Sequence, residues 1–339
     1  MLRFLSFGKG LRTLLVATAS MVVVSCASDP QSPPVDEALI NVPVGFPQPA
    51  FPLDNVPDAN RVALGKILFF STELSRTRTV SCATCHDPAK AFTDGRQTSI
   101  GVDGRIGIRN APSLANVGYG PYFLREGGVP TLEMQVLVPV QEHNEFDMNM
   151  LDVVERLSRD SSIAQMSRAA YGRSIDPYVV TRAIASFERT IISGSSRADL
   201  DQLNASERRG KDLFKSDATR CSTCHGGFAY TTHEFANNGV YASYTDNGRQ
   251  RLTFKSTDSN VFKVPSLRNV GVTAPYMHNG RVAALSAVIE SYDRGGYPHP
   301  NKDPRIRPLG LSSEQKLDLE AFLMSLTDDH FLTNTRYRP

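Results

Sequence analysis

The chain of 339 residues has no tryptophan, so nothing it does can rest on an indole. It has no long apolar run either. The longest, Leu14 to Val24, falls short of the ~20 residues that cross a bilayer, which excludes a polytopic membrane protein. It lacks charge of one sign: 37 Lys and Arg face 35 Asp and Glu, a formal net charge of +2. No basic footprint for nucleic acid exists. Hydrophobic residues at 40% and charged residues at 21% are those of a globular protein and exclude a disordered or collagen-like chain. At ~100–200 residues per domain, the length predicts two domains.

The first 25 residues read as an address. Arg3, Lys9 and Arg12 form a positive n-region ahead of the apolar stretch, the pattern of a secretory leader. The stretch ends Val23-Val24-Ser25-Cys26, which resembles the bacterial lipobox, where the cysteine sulfur takes a diacylglycerol and becomes the mature N-terminus. An uncleaved anchor, or a plain leader with a stray cysteine, is the alternative. Ala27 rather than Asp follows Cys26, so the usual inner-membrane retention signal is missing. The expected location is periplasmic, anchored by lipid to the outer membrane. Residues 26–50, rich in Pro, Ser and Ala, read as a tether. Without the leader, 34 basic residues face 35 acidic ones, a net charge of −1.

Of the five cysteines, Cys26 belongs to the lipobox. The others form Cys82-Ala83-Thr84-Cys85-His86 and Cys221-Ser222-Thr223-Cys224-His225. Cys-x-x-Cys-His is the attachment pattern of a c-type haem: two thiols reach the two vinyl groups of one porphyrin, and the adjacent histidine donates nitrogen to iron. Zinc is the rival reading, but a zinc ribbon wants its pairs ~15–20 residues apart and these are about 140 apart. A redox-active Cys-x-x-Cys needs no histidine after both pairs. The prediction is two covalent haems c, with Cys82, Cys85, Cys221 and Cys224 as attachment points and His86 and His225 as iron ligands.

Each motif follows an amphipathic helix of similar wording. The first, Asn60 to Phe70, contains Leu64-Gly65-Lys66 and Leu68-Phe69-Phe70; the second, Ser206 to Phe214, contains Arg209-Gly210-Lys211 and Leu213-Phe214. This is a weak internal duplication. Leu151 to Ala170 and Tyr178 to Ile192 carry helical periodicity, with Val180, Ala183, Ile184, Phe187 and Ile191 on one face. Gly194 to Asn204 is polar and reads as a linker. Ser312 with Gln315 makes a capping box that opens a last helix burying Leu319, Phe322, Leu323 and Leu326. No segment reads as a sheet. The expected fold is mainly α, two cytochrome c-like haem domains with long loops, over 51–200 and 201–339, joined by a short linker.

With both motifs placed, the chain resembles the bacterial di-haem cytochrome c peroxidase family, which includes MauG. The resemblance runs from about Pro47 to Asp328. It is carried by Leu64 to Phe70, Ser81 to His86, Ala91-Phe92-Thr93-Asp94-Gly95, Arg109 to Leu114, Phe187-Glu188-Arg189-Thr190, Cys224 to Gly227, Phe262 to Asn269, and Thr273 to Gly280. Gly45-Phe46-Pro47 with Asp54-Asn55 resembles a MauG-related subgroup, some of whose members modify a partner protein. The resemblance implies that the N-terminal haem, on His86, reacts with peroxide and that the C-terminal haem, on His225, handles electrons. It also implies a Ca²⁺ ion between them, held by the Asn110 side chain and the carbonyls of Thr273 and Pro275, an oxygen-only set.

Cleaving a peroxide O–O bond needs a base that carries a proton from the near to the far oxygen. Gln135, Pro139 and Glu145 fall at the spacing of the family's distal Gln, Pro and Glu. Glu145 is the candidate acid–base group, Gln135 would orient water or peroxide, and Pro139 would shape the pocket. His143 and Asp147 compete with Glu145. Peroxidase members of the family carry a blocking distal histidine in the segment matching Ser99 to Gly107, and this chain has none there, so the first iron is expected to be open. The second iron's distal ligand is Met in peroxidase members and Tyr in MauG, and Tyr292 falls on that position; Met277 and His278 lie nearby. A phenolate favours oxidised iron, whereas Met raises the potential. The family's inter-haem Trp is replaced by Arg125, so another route, through Tyr122 or Phe123, would be needed.

Three functions follow: a peroxidase reducing H₂O₂ with electrons from a small cytochrome or cupredoxin, a MauG-like oxidase modifying residues of a partner protein, and a non-enzymatic di-haem electron carrier. Glu145 and Gln135 beside an open iron argue against the third. Contact with a membrane is expected only through the lipid anchor, and none with nucleic acid.

Overall fold

The computed structural model describes residues 39–339. The leader, Cys26 and the first part of the tether lie outside the described residues. Among those described, no helix is long and apolar enough to cross a membrane. The architecture is mainly helical with one small sheet. Helices α1 (Ala59–Phe70) and α2 (Cys82–Cys85) are followed by α3 (Leu132–Gln135), α4 (Leu137–Gln141), α5 (Met150–Ser158), α6 (Ser161–Tyr171) and α7 (Pro177–Glu188). Then come α8 (Ala205–Lys215), α9 (Cys221–Cys224), α10 (Gln250–Thr253), α11 (Leu285–Asp293), α12 (Ser313–Met324) and α13 (Asp329–Thr333). Strands β1 (Phe235–Ala236) and β2 (Phe262–Lys263) pair antiparallel, Phe235 with Lys263.

The described residues hold two principal apolar cores built on one plan. In the first, α1 crosses α7 so closely that a Cβ at Gly65 would sit 1.8 Å from the Ala183 carbonyl oxygen. One helical turn on, Phe69 meets Phe187 at 5.2 Å with rings tilted 58°. In the second, α8 crosses α12, a Cβ at Gly210 would sit 1.9 Å from the Asp318 oxygen, and Phe214 meets Phe322 at 5.2 Å and 58°. The duplicated Gly-x-x-x-Phe wording is therefore a duplicated helix contact. Glycine is required there because the partner backbone occupies the space of a side chain. Leu64, Leu68, Val180, Ile184 and Phe187 fill the first core, and Leu319, Phe322, Leu323 and Leu326 the second.

Local signals set the helix ends. Asn204 and Glu207 form a reciprocal capping box at α8, and Ser312 and Gln315 form the expected one at α12. The periodic stretch from Leu151 to Ala170 is two helices, because Asp160 accepts from the amides of Ser162 and Ile163 and starts α6 afresh. Gly194 to Asn204, read as a linker, is held in place: Asp328 Oδ2 accepts from the amides of Gly194 and Ser195, and Arg268 grips Asp199 at 2.8 and 2.9 Å. Part of the presumed tether also packs. Ile40 is buried, and the Phe46 ring lies 4.7 Å from Phe228.

Replacing Gly65 or Gly210 by Ala tests the crossings. Helix propensity alone would favour Ala by ~1 kcal/mol, but overpacking against rigid backbone costs ~1–3 kcal/mol. Each variant should melt below wild type by circular dichroism; an unchanged or higher midpoint would show that the helices separate freely.

Candidate functional site

Both Cys-x-x-Cys pairs form single helical turns, each followed by its histidine. All four thiols are free and half-buried. Burial pushes every one of them up, Cys85 to about 11, the opposite of a reactive redox dithiol. His86 Nδ1 bonds the Phe92 carbonyl oxygen at 2.9 Å, and His225 Nδ1 bonds that of Pro265 at 3.1 Å, with Tyr230 at 3.3 Å. An N–H donated to a carbonyl fixes the tautomer and leaves Nε2 as a lone-pair donor, as an axial ligand requires. Burial lowers the pKa of both imidazoles, His225 to about 4, so both are neutral.

Cys221, Cys224 and His225 open onto a cavity of about 390 Å³ whose other walls include Leu267, Val270, Leu285 and Ile289. An apolar cavity of this size beside two thiols and a neutral imidazole fits a porphyrin. Tyr292 and Met277 line the same cavity and meet at one residue. Asn238 Nδ2 donates to the Tyr292 hydroxyl oxygen at 3.3 Å and to the Met277 sulfur at 3.5 Å. Burial pushes the Tyr292 hydroxyl up to about 12. His278 also faces the cavity, but its ring is stacked between Phe262, at 4.0 Å, and Tyr244, at 5.9 Å. Phe123 lines the cavity, whereas Tyr122 stacks on Phe235 and donates to the His233 carbonyl.

Around the N-terminal motif, Gln135, Pro139 and Glu145 lie on one segment folded back on itself. Pro139, lacking an N–H, breaks the helical bond to Gln135 and separates α3 from α4. Its carbonyl accepts from Phe146 N at 3.2 Å, which brings Glu145 back beside it. Neither the Gln135 amide nor the Glu145 carboxylate has a hydrogen-bond partner among the described residues. Glu145 is exposed by surface area, yet protein flanks it closely enough that desolvation, followed by the Glu142 charge, pushes its pKa up to about 7. Its charge is felt by both Cys82 and Cys85, which places it at the first motif.

The competitors are engaged elsewhere. Asp147 accepts from Arg105 at 2.7 Å and from Arg76 at 3.0 Å, and Arg105, Arg76 and His143 hold its carboxyl down to about 2. His143 is exposed and bonded to Arg105 and Asp147. The loop from Ser99 to Gly107 is a small hairpin with Gly107 N on Ser99 O at 2.9 Å. Gly101 lies so close that a Cβ would meet Asn144 O at 2.1 Å, so this loop is the floor under Glu145.

Asn110, assigned to calcium, has different partners. Its Oδ1 accepts from Arg125 Nη2 at 3.0 Å, its carbonyl accepts from Arg125 Nη2 at 2.7 Å and Nε at 3.1 Å, and its Nδ2 donates to Arg96 O at 2.9 Å. Thr273 and Pro275 line the same cavity as Asn110 and Arg125. Arg125 is pushed down to about 10 by burial, then by Arg109, and remains a cation at neutral pH. Two further residues are given no role by the sequence. One is Asn238. The other is Glu188, buried with Oε2 unpartnered and pushed up to about 8 by burial; it sits beside the ion pair of Arg189 and Glu133 at 2.7 and 3.1 Å.

Comparison with known proteins gives the family. Residues 59–207 match the family model of di-haem cytochrome c peroxidase. The methylamine utilization protein MauG of Methylorubrum extorquens is 35% identical over 286 residues, covering 81% of this chain and 80% of that protein. Cytochrome c551 peroxidase of Nitrosomonas europaea is 32% identical over 285 residues, covering 80% of this chain and 81% of that protein. The crystal structure of a MauG-like protein associated with microbial copper homeostasis superposes with a TM-score of 0.83 at 32% identity, over 88% of this chain and 97% of that one.

Protein made with haem-maturation machinery should weigh two haems more than its polypeptide by intact mass spectrometry. Changing Cys221 and Cys224 together to Ser should remove one haem and leave the other. A wild-type gain of one haem, or bound zinc, contradicts the assignment.

Proposed function

Because the chain belongs to the bacterial di-haem cytochrome c peroxidase family, together with MauG proteins, we propose that this oxidoreductase cleaves H₂O₂ at the N-terminal haem and takes electrons through the C-terminal haem from a small cytochrome or cupredoxin. The single observation that carries the proposal is Glu145, a carboxylate without an ion-pair partner beside Cys82 and Cys85, with its pKa raised to about 7. His86 would hold a haem iron, and that group would supply the two-electron chemistry at the O–O bond. Glu145, when ionised, takes the proton of the near peroxide oxygen and returns it to the far one, which leaves as water. The Gln135 amide, with both its polar atoms open, orients the peroxide. Pro139 keeps this wall rigid and carries no N–H that would compete for it. His86 keeps its orientation through the Phe92 carbonyl.

A second reading is a MauG-like oxidation of residues on a partner protein. Tyr292 favours it: its hydroxyl faces the C-terminal haem cavity under the hand of Asn238. Met277, bound to the same Asn238, favours the peroxidase. Ferric EPR of the wild type separates them, since phenolate and thioether ligation differ in spin state and potential. The proposal also takes the chain as exported to the periplasm and anchored through lipid on Cys26, on the leader's pattern.

Two outcomes test the chemistry. Glu145→Gln keeps shape and removes the base, so peroxide turnover should fall by ~10²–10⁴ with both haems still loaded. Asp147→Asn and His143→Ala should stay near wild type, and loss of turnover in either with Glu145→Gln active would move the role. The base must be ionised and its pKa is raised, so the wild-type rate should fall as pH drops through about 7 and level off above it. Glu142 and the two motif cysteines are the titratable groups that act on or feel Glu145; Arg76, Asp103, Arg105, His143 and Asp147 are taken up with one another. The profile of Glu145→Gln should be flat across that range in stopped-flow.

A further inference from the structure

The family resemblance implies a calcium ion at Asn110, Thr273 and Pro275, and the residues here do not fit one. Calcium takes six to eight oxygen ligands, usually with carboxylates among them. The only side-chain oxygen in the implied set, Asn110 Oδ1, accepts from the Arg125 guanidinium at 3.0 Å, and the carbonyl of the same residue accepts from two of its nitrogens. The Arg96 carbonyl holds Asn110 Nδ2, which fixes the amide so that Oδ1 faces the arginine. Two neutral carbonyls remain.

The nearby acids offer no replacement. Asp246 is gripped by Arg109 at 2.7 and 3.1 Å, and Glu126 is bound by Arg109 with Arg251 at 3.7 Å. Among the described residues, no group of three or more His, Cys, Asp or Glu is placed to hold a metal. Arg125, meanwhile, has no carboxylate partner. Lys263 lies close enough to feel its charge, so this region already holds an excess of positive charge. A divalent ion would sit against that excess.

We infer that Arg125 serves as a built-in cation between the two haem sites, and that the protein needs no calcium. The fork of the guanidinium suits this: it binds both oxygens of Asn110 at once, while its own backbone carbonyl accepts from Lys263 N at 2.7 Å. One residue thereby ties the Asn110 turn, through its guanidinium, to strand β2, through its backbone carbonyl, and the Asn110 N–H also donates to the His278 carbonyl at 2.9 Å. The bonds join the Arg109–Leu114 segment of the N-terminal half to the Phe262–Gly280 segment of the C-terminal half, the service a bridging ion would perform.

The inference rests on family membership and not on the roles of Glu145 or Tyr292, so turnover is not its readout. Holoenzyme desalted into metal-free buffer should contain far less than one equivalent of calcium by elemental mass spectrometry. Excess EGTA, and then CaCl₂, should leave its Soret spectrum and thermal midpoint unchanged. An equivalent of tightly held calcium, or a spectral change under EGTA reversed by CaCl₂, overturns the inference. With EGTA present, Arg125→Gln should melt several degrees lower than wild type, and Arg125→Lys, a cation without the fork, should fall between. A midpoint equal to wild type for Arg125→Gln also overturns it. If that variant does not load haem, the wild-type calcium and EGTA measurements decide.

Discussion

The structure depends on two backbone contacts, Gly65 against Ala183 and Gly210 against Asp318. Each brings a pair of helices close enough for phenylalanines one turn away to meet in the same tilted geometry. Each glycine-bearing helix then hands the chain to a cysteine turn. Because close-packed backbones cannot slide continuously, the crossing also fixes where that turn begins. The position of each cysteine turn is thus tied to a missing side chain 17 residues upstream in the first case and 11 in the second. Repeating the device gives two haem sites from one packing solution.

Charge does the second part of the work, by removing candidates. Near the N-terminal motif, Asp103 and Asp147 are held by Arg76 and Arg105, and Glu133 by Arg189 and Asn55. Without an ion-pair partner there stand Glu145, open to the motif, the exposed Glu142 beside it, and Glu188, sealed in the interior. The arginines in this half therefore do more than stabilise surface loops. They leave Glu145 unpaired at the motif, where desolvation and the Glu142 charge raise its pKa into the range in which a proton can be both taken and given.

Helices with a clear apolar stripe or a cap were legible from the residues alone: α1, α8 and α12, the last with its Ser312–Gln315 box. The break at Asp160 was not, because the apolar rhythm continues across it. The polar run from Gly194 to Asn204 joins α7 to α8, and what the residues alone could not show is that its polarity serves hydrogen bonds to Asp328 and Arg268 rather than solvent. Strands of two residues have no periodicity to read. At the sites, the attachment residues announce themselves because thiols and imidazole must lie within one turn. Asn238 and the embrace of Asn110 by Arg125 do not, because spacing records order along the chain and not what folds opposite. Glu145 stands above Asp147 already on the spacing of the resemblance; that arginines take up Asp147 shows only in the fold.

The first core is finished by residues from far along the chain. The Phe92 ring, whose own carbonyl holds His86, packs at 5.8 Å against both Phe331 and Tyr337, and the Tyr337 hydroxyl bonds the Thr190 carbonyl at 2.7 Å. In a chain that emerges from its amino end, the first motif is synthesised roughly 240 residues before the aromatics that cover it. The wall round the first motif is therefore complete only when residues from both ends of the described chain have met, so shortening the carboxyl end by a dozen residues opens the shell of a histidine that lies some 250 positions away.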